Sequence, residues 1–344
     1  MVEEWFRISP AISPDLMHAA GPCPKSWPWS NRFALSPMEP DAKQSRLHKL
    51  PVFYVRSKVR IASGILPSEG PPNMITASIV LYNTPKDQFK RLLNCVKEST
   101  VSLRVYVIDN SPAPRSDLVH EEPLVTYIRS EKNVGYGGGH NLALRKILGS
   151  SEFHFVLNPD IYFGPQEIEK MLQFMRQNRD IGQLMPKVIY EDGSLQYLCK
   201  LIPTPLDLFV RRFAAAPLSS LLRRRIERFE LRFTGYDKVM DVPLLSGCFM
   251  LFRVAALNQI GLFDERFLMY LEDFDICRRM NAQFRTVFFP GATIVHDHAR
   301  DSYRNRQSLK LHVESAIKYF NKWGWLNDPA RSRVNRDSLR ELGF

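Results

Sequence analysis

Met74-Ile75-Thr76-Ala77-Ser78-Ile79-Val80-Leu81-Tyr82, followed by Asn83-Thr84-Pro85, is the stretch on which the fold turns. Nine uncharged residues, rich in β-branched and apolar side chains, read as a strand covered on both faces, the habit of parallel sheets. Asn83-Thr84-Pro85 is a turn and helix-start signal, and Phe89, Leu92, Leu93 and Val96 then recur at helical spacing. The pattern repeats downstream. A strand from Leu103 to Ile108 ends in Asp109-Asn110-Ser111-Pro112. A third, from Leu124 to Arg129, runs into Asn133-Val134-Gly135-Tyr136-Gly137-Gly138-Gly139-His140-Asn141 and a helix through Leu142, Leu144 and Ile147. A fourth, Phe153-His154-Phe155-Val156-Leu157, delivers Asn158-Pro159-Asp160 at its end. This alternation predicts an α/β fold, Rossmann-like, with a mostly parallel central sheet and flanking helices. In such sheets ligands sit beyond the carboxyl ends of the strands, where Asp109, the glycine segment and Asp160 all fall.

Upstream of Met74 the character changes. Residues 1–73 hold 11 of the chain's 24 prolines and show no apolar alternation that lasts a full element, so they are expected to be disordered or a non-native extension. The folded part is expected to start at Met74, which is itself a candidate initiator; a real but flexible arm is the other reading. Among 344 residues, 44% are apolar and 24% charged, an ordinary globular balance. A net charge of +11 favours an anionic partner without saying which. Nucleic acid is not expected, because no recognised binding motif or basic-aromatic stacking platform occurs. Cys23, Cys95, Cys199, Cys248 and Cys277 form no C-x-x-C pair, which argues against a zinc site or disulfide framework and for a reducing compartment. No uninterrupted apolar run is long enough to span a bilayer, and Met1-Val2-Glu3-Glu4 does not open a secretory signal, so a cytoplasmic protein is expected.

The glycine segment is not a dinucleotide fingerprint: His140 stands at the third glycine position, and the segment follows the third strand where the fingerprint needs the first. A tight turn and a loop facing a ligand both remain open. Two further acidic or imidazole features follow. Leu271-Glu272-Asp273-Phe274-Asp275 leads into a helix carrying Arg278 and Arg279, and Val295-His296-Asp297-His298 ends an apolar run. Asp273 should lie near the helix N-terminus, where the dipole favours an ionised carboxylate, and capping is the other explanation for it. Asp275, three and four residues ahead of the two arginines, is better explained as a helix ion pair. Residues 205–238 carry eight basic residues against four acidic ones, interleaved with Leu206, Leu208, Phe209, Leu221, Phe229 and Phe233. That mixture suits either a helical pair packed on the sheet or an amphipathic surface resting on anionic lipid.

Residues 74 to about 326 resemble a family 2 glycosyltransferase of the GT-A fold, and within it the rhamnosyltransferase-like branch of bacterial surface-polysaccharide enzymes. The resemblance rests on the strand-end motifs above together with Ser246-Gly247-Cys248-Phe249-Met250, Gly261-Leu262-Phe263-Asp264-Glu265, Tyr270 to Asp275, and Ser315 to Trp325. It implies a domain order of residues 74–165 as the nucleotide-sugar-binding half, 166–300 as the acceptor-binding half with the basic amphipathic insert 205–238, and 301–344 as a C-terminal helix and tail.

The resemblance also implies roles. The Asp-x-Asp metal motif corresponds to Asn158-Pro159-Asp160, so its first carboxylate is an amide here and Asp160 is left as the main acidic ligand for Mg²⁺ or Mn²⁺, with His296 as the second and His298 the weaker competitor. Tyr82, Asn83, Asp109, Asn133, Gly135, Gly137 and Asn158 match donor-binding positions, although a turn aspartate ahead of Pro112 accounts for Asp109 equally well. Asp273 matches the catalytic base, with Glu272 beside it. The implied activity is inverting transfer of a sugar, L-rhamnose from dTDP-L-rhamnose first and galactofuranose or another hexose behind it, onto a lipid-linked polysaccharide or O-antigen acceptor at the inner face of the cytoplasmic membrane. A catalytically degenerate sugar-nucleotide-binding protein is the remaining alternative, raised by Asn158.

Overall fold

A computed structural model describes residues 74–119, 122–213, 220–297 and 306–344; the expectations for residues 1–73 and His298 lie outside the described residues. The chain runs β1 (Ile75–Leu81), α1 (Lys86–Glu98), β2 (Arg104–Asp109), β3 (Val125–Arg129), α2 (Gly135–Ile147), β4 (Phe153–Leu157), β5 (Ile161–Phe163), α3 (Glu167–Gln177) and β6 (Ile181–Ile189). It continues through α4 (Pro205–Phe213), α5 (Ser220–Phe229), β7 (Met240–Asp241), β8 (Phe249–Arg253), α6 (Val254–Ile260), α7 (Glu272–Asn281), β9 (Arg285–His296), α8 (Arg306–Trp323) and α9 (Pro329–Glu341).

Among the described residues one nine-stranded sheet has the order β3-β2-β1-β4-β8-β6-β9-β5, with β7 against β9. The expected α/β class is what folds. β3, β2, β1 and β4 are parallel neighbours, and every residue of β1 and β4 is buried, as the continuous apolar runs imply. Phe89, Leu92, Leu93 and Val96 are the buried face of α1. The parallel order stops at β8, which runs antiparallel to both β4 and β6. Leu157 pairs with Phe249, so the residues entering β8, Ser246-Gly247-Cys248, are delivered to the same end of the sheet as Asn158-Pro159-Asp160.

A second long-range pairing finishes that end. β9 is parallel to β6 with a register shift after Pro186 and Phe289, and its last residues turn to pair with β5 in the register Ile161↔His296. Asp160 immediately precedes that pair, and Asp297 N donates to Asp160 O at 2.9 Å. After β9, α8 buries Ser315, Tyr319 and Phe320, and α9 starts at a side-chain cap in which Asp328 accepts from Arg331 N. Asp328 also takes Arg278 of α7 at 2.7 Å, both side chains buried, with the Arg278 guanidinium 4.2 Å from the Trp323 ring centroid.

One local expectation needs correcting. The glycine segment is not a loop before the helix: α2 begins at Gly135 and runs through Gly137, Gly138 and Gly139. Three of these glycines also lie against other parts of the protein. Gly135 has φ +81°, and a Cβ on it would sit 2.1 Å from the Leu268 carbonyl oxygen. A Cβ at Gly137 would meet Phe263 Cβ at 2.9 Å, and one at Gly139 would meet Val80 Cγ2 at 2.7 Å. Local spacing carries no trace of partners so distant in sequence.

Candidate active site

Asp160 is held at the mouth of the sheet by backbone, not by its carboxylate. Its Oδ1 is buried, has no hydrogen-bond partner among the described residues, and lies 3.3 Å from His296 Nε2. The hydrogen-bond network assigns the imidazole tautomer. Gln196 Nε2 donates to the carbonyls of His296 at 2.8 Å and Ile189 at 3.3 Å, so Gln196 Oε1 must be the acceptor 3.0 Å from His296 Nδ1. Nδ1 therefore carries a proton, and Nε2 is the nitrogen turned towards Asp160 and, at 3.5 Å, towards Asn158 Nδ2. A carboxylate oxygen and a ring nitrogen facing one point suit a divalent cation, with the imidazole favouring Mn²⁺ over Mg²⁺. Among the described residues no group of three or more His, Cys, Asp and Glu side chains forms a metal cage, so a cation here needs oxygens from its ligand and from water. A cavity of about 290 Å³ lies alongside, lined by Asp160, Ile161, Asp297 and the α1 residues Asp87, Gln88 and Arg91.

Asp273 and Glu272 open α7 as expected, but their environment differs. Glu272 is 5% exposed, its Oε2 is unpartnered among the described residues, and burial, with the neighbouring Asp273 charge, pushes its carboxyl well above the usual range. Asp273 is only partly covered. Its Oδ2 accepts from Gly247 N at 3.0 Å and its Oδ1 from Phe274 N at 2.9 Å. Burial raises this carboxyl too, against the opposing pull of the Gly247 N–H and the nearby Lys200 charge. The backbone leading into Asp273 is bent unusually: Tyr270 and Leu271, neither of them glycine, have φ of 71° and 64°. Two consecutive left-handed residues cost of order 1–3 kcal/mol each and persist only where the surroundings enforce them. Ser315 Oγ of α8 fixes the Met269 carbonyl at 2.7 Å, and Tyr136 N of α2 fixes that of Leu268 at 2.9 Å. Asp275 pairs with Arg279 at 2.9 Å, as its spacing predicts, and also with Lys322 at 2.6 Å, whereas Arg278 turns away to Asp328.

The Asp160 and Asp273 ends of the site are joined by three residues. Gly247 N holds Asp273, the Gly247 carbonyl accepts from Tyr136 Oη at 2.6 Å, and the Cys248 carbonyl accepts from Asn158 N at 3.0 Å. A Cβ at Gly247 would stand 3.2 Å from Asp273 Cβ, so glycine there lets the carboxylate approach the backbone. Burial of the half-buried Tyr136 hydroxyl, helped by the nearby Glu272, Asp273 and Asp160 charges, pushes it well above its ordinary value. Sequence reasoning left Gly247, Cys248, Tyr136 and Gln196 out of the site. Ser246-Gly247-Cys248 was visible as a motif; Gln196 has no local signal.

The remaining donor-side positions gather at the same strand ends with unequal freedom. Tyr82 is 52% exposed, and Asn83, at φ 52°, donates its N–H to Ser111 Oγ. Asn133 is exposed, but its Oδ1 accepts from Gly135 N at 2.9 Å. Asp109 is fully buried; it accepts from Ser111 N, Arg115 N and Tyr127 Oη and pairs with Arg129 at 3.1 Å. Burial would raise its carboxyl, but these donors, Tyr127 foremost, outweigh it and hold the group below its ordinary value. The structure thus displays Asp109 as the clamp of the turn after β2. Four of the eight basic residues of the insert are likewise paired within it: Arg225 with Asp207, Arg211 and Arg232 with Glu230, and Arg223 with Glu227. Leu208, Val210 and Phe229 pack inwards, while Leu206 and Phe209 stay exposed.

Among known proteins, the chain is 27% identical over 265 residues to the N-acetylglucosaminyl-diphospho-decaprenol L-rhamnosyltransferase of Mycobacterium tuberculosis, covering 71% of this chain and 83% of the relative. It is 21% identical over 250 residues to rhamnosyltransferase WbbL of Escherichia coli K12, covering 70% and 90%. Among solved structures, S. aureus TarS superposes with a TM-score of 0.49 at 17% identity, covering 79% of this chain and 44% of that one. GalNAc-T7 with UDP, GalNAc and Mn²⁺ gives 0.48 at 14%, covering 65% and 43%; the chain spans less than half the length of either. The family model for glycosyl transferase family 2 matches residues 76–261, from β1 through the 246–248 bridge to the end of α6. With that match over most of the folded chain, the chain belongs to glycosyl transferase family 2 and is a glycosyltransferase.

Proposed function

We propose that the chain is an inverting glycosyltransferase that moves a hexose, L-rhamnose from dTDP-L-rhamnose before galactofuranose, onto a hydroxyl of a lipid-linked saccharide at the cytoplasmic face of the membrane. The observation that supports the chemistry is the Gly247-Cys248 backbone, which bonds to the partly exposed Asp273 carboxylate on one side and to Asn158, two residues before Asp160, on the other. Asp273 accepts the proton of the acceptor hydroxyl as that oxygen attacks the anomeric carbon. Its raised affinity for protons brings it closer to the working pH of a general base. The Gly247 and Phe274 N–H groups aim it, and burial favours the neutral form of Glu272, so the neighbouring carboxyl adds little repulsion. Asp160 and His296 would hold a divalent cation, which neutralises charge on a departing diphosphate. One displacement inverts the anomeric centre. Residues 74–165 serve the donor and 166–300 the acceptor on this reading, with the basic insert and its exposed Leu206 and Phe209 facing an anionic membrane.

The relatives named as rhamnosyltransferases support the sugar, and the one named for a diphospho-decaprenol acceptor supports the lipid-linked substrate. The test is release of nucleoside diphosphate from a panel of sugar nucleotides with and without Mn²⁺. Asp273→Asn is expected to lower transfer by about 10²–10⁴ while leaving donor binding in place. Full turnover by that variant would remove the base assignment; donor binding without turnover by the unaltered chain would establish the degenerate binder instead.

A further inference from the structure

A second cavity, of about 500 Å³, opens between α5 and α9 and shares no residue with the catalytic site. Its walls are Arg228 of α5, Arg331, Ser332, Arg336 and Arg340 of α9, and Phe344, with no Asp or Glu side chain among the lining residues. Ser332, Arg336 and Arg340 follow one another at four-residue steps and so line one helix face, where the two guanidinium groups repel. Several neighbouring arginines are paired: on the insert Arg211, Arg223, Arg225 and Arg232 each have a carboxylate, and Arg331 bonds to the carbonyls of Leu326, Trp325 and Pro203 and lies 3.9 Å from Asp328. Arg340 approaches Asp337 at 3.7 Å in an exposed pair, which neutralises little. Among the described residues Arg228 and Arg336 have no Asp or Glu side chain within 4.0 Å. Arg228 is instead held against the wall by the Phe344 ring, 5.3 Å from guanidinium carbon to centroid.

Two guanidinium groups left without a carboxylate on one concave surface are the chemistry of an oxyanion receptor. We propose that this cleft binds a phosphate group, with Arg228 and Arg336 as its donors. Guanidinium forks match phosphate oxygens two at a time, and their weak hydration lowers the cost of bringing them together. The phosphate has two possible carriers, a soluble phosphate or a phospholipid headgroup, and α4, packed on α5 with Leu206 and Phe209 exposed, gives the second an apolar neighbour.

The experiment uses the full chain in the presence of a chelator, so that the Asp160 site does not contribute, and two probes: inorganic pyrophosphate by calorimetry, and sedimentation with phosphatidylglycerol against phosphatidylcholine vesicles. Binding of pyrophosphate, of phosphatidylglycerol vesicles or of both is expected, weakened at least tenfold in the Arg228→Gln/Arg336→Gln double variant and unchanged in Asp160→Asn. Vesicle binding alone identifies the lipid source, and pyrophosphate binding the soluble one. Failure of the unaltered chain to bind either probe, or equal binding by the double variant, overturns the proposal. Since both arginines are exposed, the variant should fold; Arg336→Gln alone, expected to lose at least threefold, serves if the pair does not. Release of nucleoside diphosphate in solution should be the same in all the arginine variants, which separates failure of this cleft from failure of the catalytic reading.

Discussion

Acid should unfold this protein through two histidines that never reach solvent. His140 Nδ1 lies 2.7 Å from Ser78 Oγ, Ser78 Oγ lies 2.8 Å from His154 Nε2, and His154 Nδ1 lies 2.8 Å from Thr76 Oγ1, all under the glycine face of α2. Ser78 has one proton to give, so it donates to one ring and accepts from the other, and the chain closes with both rings neutral. Burial lowers the His154 pKa from 6.5 to about 3, and burial with the nearby His154 lowers that of His140 well below 6.5. Above pH 6.5 neither group distinguishes folded from unfolded chains. Below it the unfolded chain takes up protons that the folded one refuses, so stability falls by about 1.4 kcal/mol per pH unit for each histidine. Between pH 6.5 and 4.5 His154 alone removes about 2.3 kcal/mol, a large part of a typical domain stability of roughly 5–15 kcal/mol. Glu272 acts in the opposite direction, since a carboxyl raised by burial becomes less unfavourable as pH falls towards its ordinary value. The measurement must therefore be a difference. Urea unfolding of the unaltered chain and of His154→Gln at pH 7, 6 and 5 should show the variant less stable at pH 7 but with a pH slope shallower by about 1.4 kcal/mol per unit below pH 6. Parallel slopes would refute a neutral, buried His154.

Two further outcomes follow from the same geometry. Asp160→Asn removes the carboxylate beside His296, and Gln196→Leu frees the ring from the tautomer and orientation that Gln196 imposes. Both should raise the Mn²⁺ concentration for half-maximal transfer, the second by about 10–100-fold, and an unchanged metal titration in either would show that the cation is held elsewhere. Gly135→Ala forces an L residue to φ +81° and drives its Cβ into the Leu268 carbonyl, so it should cost about 3 kcal/mol or more in urea unfolding; a loss below about 1 kcal/mol would contradict the close packing of α2 on the 268–271 segment.

The parallel half of the sheet was legible because buried strands spell themselves out: Ile75 to Tyr82 and Phe153 to Leu157 could hardly be anything else. Asp160 and the Glu272-Asp273 pair were legible for the related reason that they stand at element ends. What sequence could not supply is pairing across distance. Nothing near His296 says that its register partner is Ile161, and nothing near Phe249 says that its strand runs backwards between β4 and β6. The glycines after Asn133 looked available to a ligand because Phe263, Leu268 and Val80, which fill the space beside them, are invisible from local spacing. Asp109 likewise looks available at the tip of β2 until Tyr127 and Arg129, from the next strand, are seen to be on it.

The left-handed pair at Tyr270 and Leu271 ties Asp273, the proposed proton acceptor, to helices that lie far from it in sequence. A bend kept against the preference of its own side chains works like a cocked latch, released when either keeper slips. The keepers are the Ser315 hydroxyl on α8 and the Tyr136 amide on α2. Loss of either should swing the start of α7 as a unit, so that damage to α8 is felt as a displaced Asp273 before it is felt as unfolding.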